Sequence, residues 1–112
     1  MKKKIACAGR ILWDSVETAN SFFKRFKGLM GRRSLLESEG MLITCCNQVH
    51  TFNMRFTIDV IYLSKQMRVV RVDTLPPNRI GPFVKNAVSV LEVAAGTSAL
   101  NGIKLGDELA LI

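Results

Sequence analysis

Cysteine is scarce in this sequence, and its three copies, Cys7 and the adjacent pair Cys45 and Cys46, cannot all pair within one chain. Their spacing matches no disulfide framework, so a stapled secreted scaffold is not expected and a reducing, cytoplasmic setting is. Proline is equally sparse, at three in 112 residues, and there is no internal repeat or low-complexity tract. With 48% apolar residues, this argues against disorder and for an ordinary globular chain. No uncharged apolar run approaches the roughly 18 residues of a membrane span. The opening MKKKIACAG starts as a secretory signal would, yet Arg10 ends its apolar run after IACAG. A signal needs about 7–15 apolar residues, so secretion is not expected. Neither a P-loop nor a dinucleotide-binding glycine pattern is present, and no cofactor is expected.

What is present fits one domain over residues 1–112, long enough to bury one core, with 1–9 as a basic N-terminal segment or first strand. The net charge of +7 is one-sided. Residues 1–33 carry nine Lys or Arg against Asp14 and Glu17, whereas residues 34–112 are neutral. A field concentrated at one end attracts polyanions without choosing among nucleic acid, anionic lipid and an acidic partner.

Along the chain, Ile11, Leu12 and Trp13 mark a strand from Arg10 to Val16, and Thr18 is a candidate helix N-cap. Ala19, Phe22, Phe23, Phe26, Leu29 and Met30 then fall within an arc of about 120° on a helical wheel, opposite Asn20, Lys24 and Lys27. That spacing predicts an amphipathic helix ending at Gly28 and Gly31. Downstream the pattern is β-like: MLIT, residues 50–63, MRVVRVDTL after a tight SKQ connection, AVSVLEVA and the terminal GDELALI. LPPNRIGPF is a loop, and AGTSALNGI a short helical turn. Five or six strands with one helix make a β-rich α+β domain.

The segment VHTFNMRFTIDV, residues 49–60, is the most informative. If it is extended, His50, Phe52, Met54, Phe56, Ile58, Val60 and Tyr62 share an inner face, while Thr51, Asn53, Arg55, Thr57 and Asp59 share an outer one. Burying Phe52, Met54, Phe56 and Ile58 at roughly 1.5–3 kcal/mol each would fix that register. Arg55 and Asp59 would then stand about 13 Å apart, too far to pair, which leaves the Arg55 fork for a carboxylate or phosphate. The bland alternative is a merely solubilising face, with His50 as a structural histidine.

Other chemistries have thinner support. Cys45 or Cys46 with His50 supplies the parts of a thiol catalyst, but neighbouring cysteines on a strand point to opposite faces. Cys45, Cys46, His50 and Met54 suit a soft metal but lack a metal-site spacing, so no metal is expected. Nucleic-acid association rests on KRFKGLMGRR, whose phenylalanines are assigned to the core and so make poor stacking platforms.

FKGLMGRR (26–33), GMLIT (40–44), HTFNMRFTIDVIYL (50–63), VLEVAAGT (90–97) and GDEL (106–109) together resemble the DUF192 family of small prokaryotic domains over nearly the whole chain. The resemblance implies a compact domain with a curved or barrel-like, largely antiparallel sheet and a helix packed on it. It supplies a fold and no mechanism. The family pattern falls on His50, Thr51, Phe52, Met54, Arg55 and Asp59, and in the helix on Arg25, Gly28, Leu29, Met30 and Arg33. Asn53 and Thr57 depart from it.

The leading expectation is a cytoplasmic binding or accessory domain for a small anion or an acidic protein segment. Thr51, Arg55 and Asp59 form its polar patch, with Arg25, Arg32 and Arg33 as an anion-attracting rim. The second is a small hydrolase or thiol-dependent enzyme using His50, Asp59 and Cys46, and the third is weak nucleic-acid binding through the basic helix end. No self-complementary interface is readable.

Overall fold

The computed structural model describes residues 2–112, except for the side chains of Phe22 and Phe23, so the core placement expected for those two rings lies outside the described residues. Seven strands form one sheet: β1 (Lys3–Cys7), β2 (Arg10–Ala19), β3 (Glu39–Thr44), β4 (Ile58–Leu63), β5 (Val69–Leu75), β6 (Ser89–Ala94) and β7 (Leu109–Leu111). Helix α1 (Phe22–Lys27) follows β2, and α2 (Thr97–Leu100) follows β6. The count exceeds the expected five or six strands and one helix. One cause is that only Ala8 and Gly9 separate β1 from β2. Both have positive φ, 52° and 79°, which reverses the chain in two residues.

The strand order is β5-β4-β6-β3-β2-β1-β7, antiparallel throughout except for the parallel pair β2 and β3. Its two edges meet at one end. The Val69 N–H donates to Asp107 O at 2.8 Å and the Leu109 N–H to Met67 O at 2.9 Å, which curls the sheet into a half-barrel. At the far strand, Lys4 and Ile112 exchange two backbone hydrogen bonds.

Curling buries both faces of the central strands. Every residue of β4, IDVIYL, is buried. Ile58, Val60 and Tyr62 join Met41, Ile43 and Val90 in a core on the α1 side. Ile61 and Leu63 join Trp13, Val16, Leu42, Leu91 and Val93 inside the curl. The predicted alternation therefore holds along β4, but its second face is also core.

That changes the reading of residues 50–57, which form turns rather than strand. Asn53 has φ 60°, a left-handed conformation that asparagine tolerates and a strand does not. Phe52 is consequently 43% exposed instead of buried. Thr51, expected outward, is fully buried. Its Oγ donates to Pro76 O at 2.7 Å and accepts the Arg79 N–H at 2.8 Å, tying the turn to the 76–88 loop.

Asp59, also expected outward, lies buried at the end of the barrel interior. Its Oδ2 accepts the Gly96 N–H at 3.0 Å, the Ser98 N–H at 3.2 Å and the Ser98 hydroxyl at 2.6 Å, while Oδ1 accepts the Thr74 hydroxyl at 2.8 Å. A strand carboxylate thus caps the N-terminus of α2, satisfying amides that a four-residue helix leaves open. Replacing it strands these donors in a dry site. Asp59→Ala is therefore expected to destabilise the protein by about 3 kcal/mol in urea unfolding; a loss under about 1 kcal/mol would show that water can stand in for the carboxylate.

Candidate functional site

Helix α1 spans only six residues because Ser21, not Thr18, is its N-cap: the Ser21 hydroxyl accepts the Lys24 N–H at 3.2 Å. Thr18 belongs to β2, which runs on to Ala19. Gly28 closes the helix at φ 48°, donating its N–H to Lys24 O. A β-carbon there would stand in ordinary contact with Glu92 Oε1 at 3.5 Å, so it is the positive φ that calls for glycine. Phe26, expected in the core, is 60% exposed, and Leu29 takes the inward place. Leu29, just past the helix, packs into the core that holds Val60 and Val90, and the end of α1 lines two recesses.

The larger recess is a groove of about 720 Å³ running between the end of β2, Met41 of β3, α1 and the turn after it. That volume is within the roughly 300–1,000 Å³ of small-ligand sites. Lys2, Lys24, Lys27 and Arg32 line it, with Glu17 as its single acid. Glu17 is already engaged, accepting from Arg32 at 2.6 Å. Among the described residues the three lysines have no carboxylate partner. Ala19, Met30 and Met41 give the groove an apolar floor.

The smaller recess, about 40 Å³, lies under the end of α1, with Glu92 as its innermost polar group and Cys46, Gln48 and His50 around it. Glu92 is 2% exposed, and among the described residues its Oε1 has no hydrogen-bond partner. In the sheet it stands between Met41 and Val60, and burial pushes its carboxyl up to about 8. At neutral pH it is therefore protonated. At the mouth, His50 Nδ1 accepts the Phe52 N–H at 3.2 Å, which places the proton of the neutral ring on Nε2. The imidazole stacks on Phe52 at 5.2 Å between centroids and meets Phe26 at 5.8 Å.

The expected site residues are thus divided. His50, Cys46 and Arg25 line the smaller recess and Arg32 the groove. Arg33 is exposed and lines neither. Thr51, Arg55 and Asp59 do not share a strand face. Arg55 is exposed and unpaired among the described residues, whereas Thr51 and Asp59 are bonded inward. Asp59 lines neither recess, so His50 and Asp59 are not gathered into a catalytic pair. Cys46 donates its thiol to Gln48 O at 3.1 Å, and burial raises its pKa, leaving it protonated rather than activated. Cys45 stands exposed in a left-handed turn at φ 51°. Among the described residues no three His, Cys, Asp or Glu side chains gather closely enough to hold a metal ion.

Glu92 and Lys2 are what the sequence reading missed, whereas Lys24 and Lys27 belong to the expected basic helix end but not to the expected anion rim. The signal available was an acid in VLEVA, placed on the same side of its strand as Val90 and surrounded by apolar positions.

The architecture is that of a small β-rich α+β domain, a curled half-barrel with two short helices. The DUF192 family model, described as an uncharacterised ACR, matches residues 4–111, and the chain belongs to that family. It is 37% identical over 101 residues to a UPF0127 protein of Pyrococcus horikoshii, covering 87% of this chain and 88% of that one. A UPF0127 protein of Pyrococcus furiosus is 35% identical over 104 residues, with 90% of each chain covered. Among solved structures, a putative transcription regulator of Sinorhizobium meliloti superposes with a TM-score of 0.87 at 24% identity, covering 99% of this chain and 94% of that one. A protein of unknown function from Novosphingobium aromaticivorans gives 0.81, also at 24%, covering 98% and 84%. At that identity the likeness speaks for the fold alone. Among the described residues no helix is long and apolar enough to cross a membrane.

Two outcomes follow for these groups. Folded Glu92 keeps its proton to about 8, whereas the unfolded chain releases it near 4.5, so its favourable contribution is complete below 4.5 and is lost as pH rises toward 8. Urea midpoints measured across that interval should fall less steeply in Glu92→Gln than in wild type. In thiol labelling at mildly alkaline pH, Cys45 should react well before Cys46; equal rates would mean that Cys46 is not held as described.

Proposed function

We propose that this chain is a binding domain and that the groove beside α1 receives the carboxylate or phosphate of a small anion or of an acidic protein segment. The observation that carries the reading is a cavity of about 720 Å³ whose Lys2, Lys24 and Lys27 lack carboxylate partners among the described residues. Each lysine attracts an anion at about 4 Å by roughly 1–4 kcal/mol before desolvation, depending on how much water remains. The reading retains Arg32, and Arg25 next door, from the expected basic rim. It gives Thr51 and Asp59 structural duties, and leaves Arg55 as an exposed cation elsewhere.

The apolar floor of Ala19, Met30 and Met41 favours a ligand with a carbon body, such as an acidic side chain, over a bare phosphate chain. Among its described residues the groove has no aromatic platform, and that weakens the nucleic-acid alternative. The thiol-enzyme alternative is weakened in turn by a Cys46 pushed toward its protonated form.

Calorimetry with inorganic phosphate and with a hexaglutamate peptide tests the reading on wild type and on the double variant Lys24→Gln, Lys27→Gln. The variant should bind at least about tenfold more weakly, equivalent to 1.4 kcal/mol, and wild-type affinity should fall as salt is raised. Unchanged affinity in the variant would reject the groove, and tighter binding of a single-stranded oligonucleotide than of hexaglutamate would transfer the site to nucleic acid.

A further inference from the structure

The recess beneath the end of α1 presents a different chemistry from the groove. Its innermost group is a carboxyl that is 2% exposed, with an oxygen that no group among the described residues satisfies. Buried carboxyls normally have partners, and an orphan of this kind marks something absent from the polypeptide itself. Asp59 provides the comparison within the same sheet, since its two oxygens accept four hydrogen bonds.

We propose that this recess is a binding site for a primary ammonium group, from either a free amine or a lysine side chain, with Glu92 as its counter-ion and Phe26 and His50 as the aromatic mouth. Three observations carry it. The unpartnered Glu92 oxygen lies in the recess beside Gly28, at the end of α1. The cavity of about 40 Å³ is of the size that holds one or two waters, which an ammonium head matches more closely than a guanidinium or trimethylammonium group does. The mouth carries Phe26, 60% exposed, with its ring against the imidazole, and aromatic faces attract cations.

The charged and titratable groups facing Glu92 are Arg25 and Lys27 from α1, Cys46 after β3, His50, and Tyr62 of β4. None of them supplies the counter-ion. The Arg25 guanidinium is turned to Asn20 O at 3.2 Å, and Lys27 is exposed. The upward shift of the Glu92 carboxyl comes from burial alone, with no opposing cation. An entering ammonium ion removes that imbalance. The acid ionises, its proton leaves to solvent, and an ion pair replaces a neutral orphan.

The test measures binding of n-propylamine to wild type and to Glu92→Gln by calorimetry in two buffers of different ionisation enthalpy. N,N,N-trimethylpropylammonium serves as the oversized control, and a lysine-containing tripeptide distinguishes a side-chain source from a free amine. Propylamine should bind wild type at least tenfold more tightly than the trimethyl control, release close to one proton at pH 7, and lose at least tenfold in Glu92→Gln. Its affinity should also rise as pH approaches the Glu92 value. Phosphate affinity should be the same in both proteins, which checks that the variant is folded and keeps this site independent of the groove. No measurable amine binding, equal binding of both amines, or an unaffected Glu92→Gln would mean that water alone fills the recess and would overturn the proposal.

Discussion

The whole structure depends on a sheet that has no solvent side at its centre. Once the strands curl until β5 and β7 approach at one end, alternate residues of β4 and β6 go to two different cores, one inside the curl and one under α1 and the long loops. Ile61 and Leu91 face the first while Val60 and Val90 face the second. Each strand is then held from both sides, and a slip by one residue would exchange two apolar sets rather than expose one.

The same constraint sets the terms for every polar residue on those strands. An acid in β4 or β6 cannot reach water by changing face, so it needs a partner or must stay neutral. Asp59 lies near the end of the curl, where the amides of α2 and the Thr74 hydroxyl are within reach, and it becomes structural. Glu92 lies mid-strand between Met41 and Val60, where only hydrocarbon flanks it, and its carboxyl lies in the recess beside Gly28. Two acids of similar chemistry thus receive opposite roles from position alone. The lysines of α1 show the complementary case. On a helix that covers the sheet only partly, they remain in solvent beside an apolar trench.

Local alternation made much of this legible. The parity of β4 and β6, the hairpin connection at 64–66, the loop over 75–83, the short helix after Gly96 and the β-rich class all follow from apolar spacing and turn residues. Where the reading failed, the deciding interaction was distant in sequence. Residues 50–57 alternate as a strand would, yet Thr51 bonds across to Pro76 and Arg79, and Asn53 turns the chain, because the 76–88 loop supplies the partners that an adjacent strand otherwise would. Periodicity likewise assigned Phe26 to a core face of a helix read as twice its real length; the Ser21 cap and Gly28 end it first, and the ring stays outside. Glu92 went unrecognised because one acid in an apolar run has no periodic signature, and its neighbours across the sheet come from β3 and β4.

The exchange of hydrogen bonds between Lys4 and Ile112 brings both ends of the polypeptide to one ladder. A short tether can therefore join them head to tail without disturbing either core, and the exposed turn at Lys65 and Gln66 becomes a natural place to reopen the ring. Such a circularly permuted chain would keep the α1 face untouched, separating what the recesses need from the order in which the strands are synthesised.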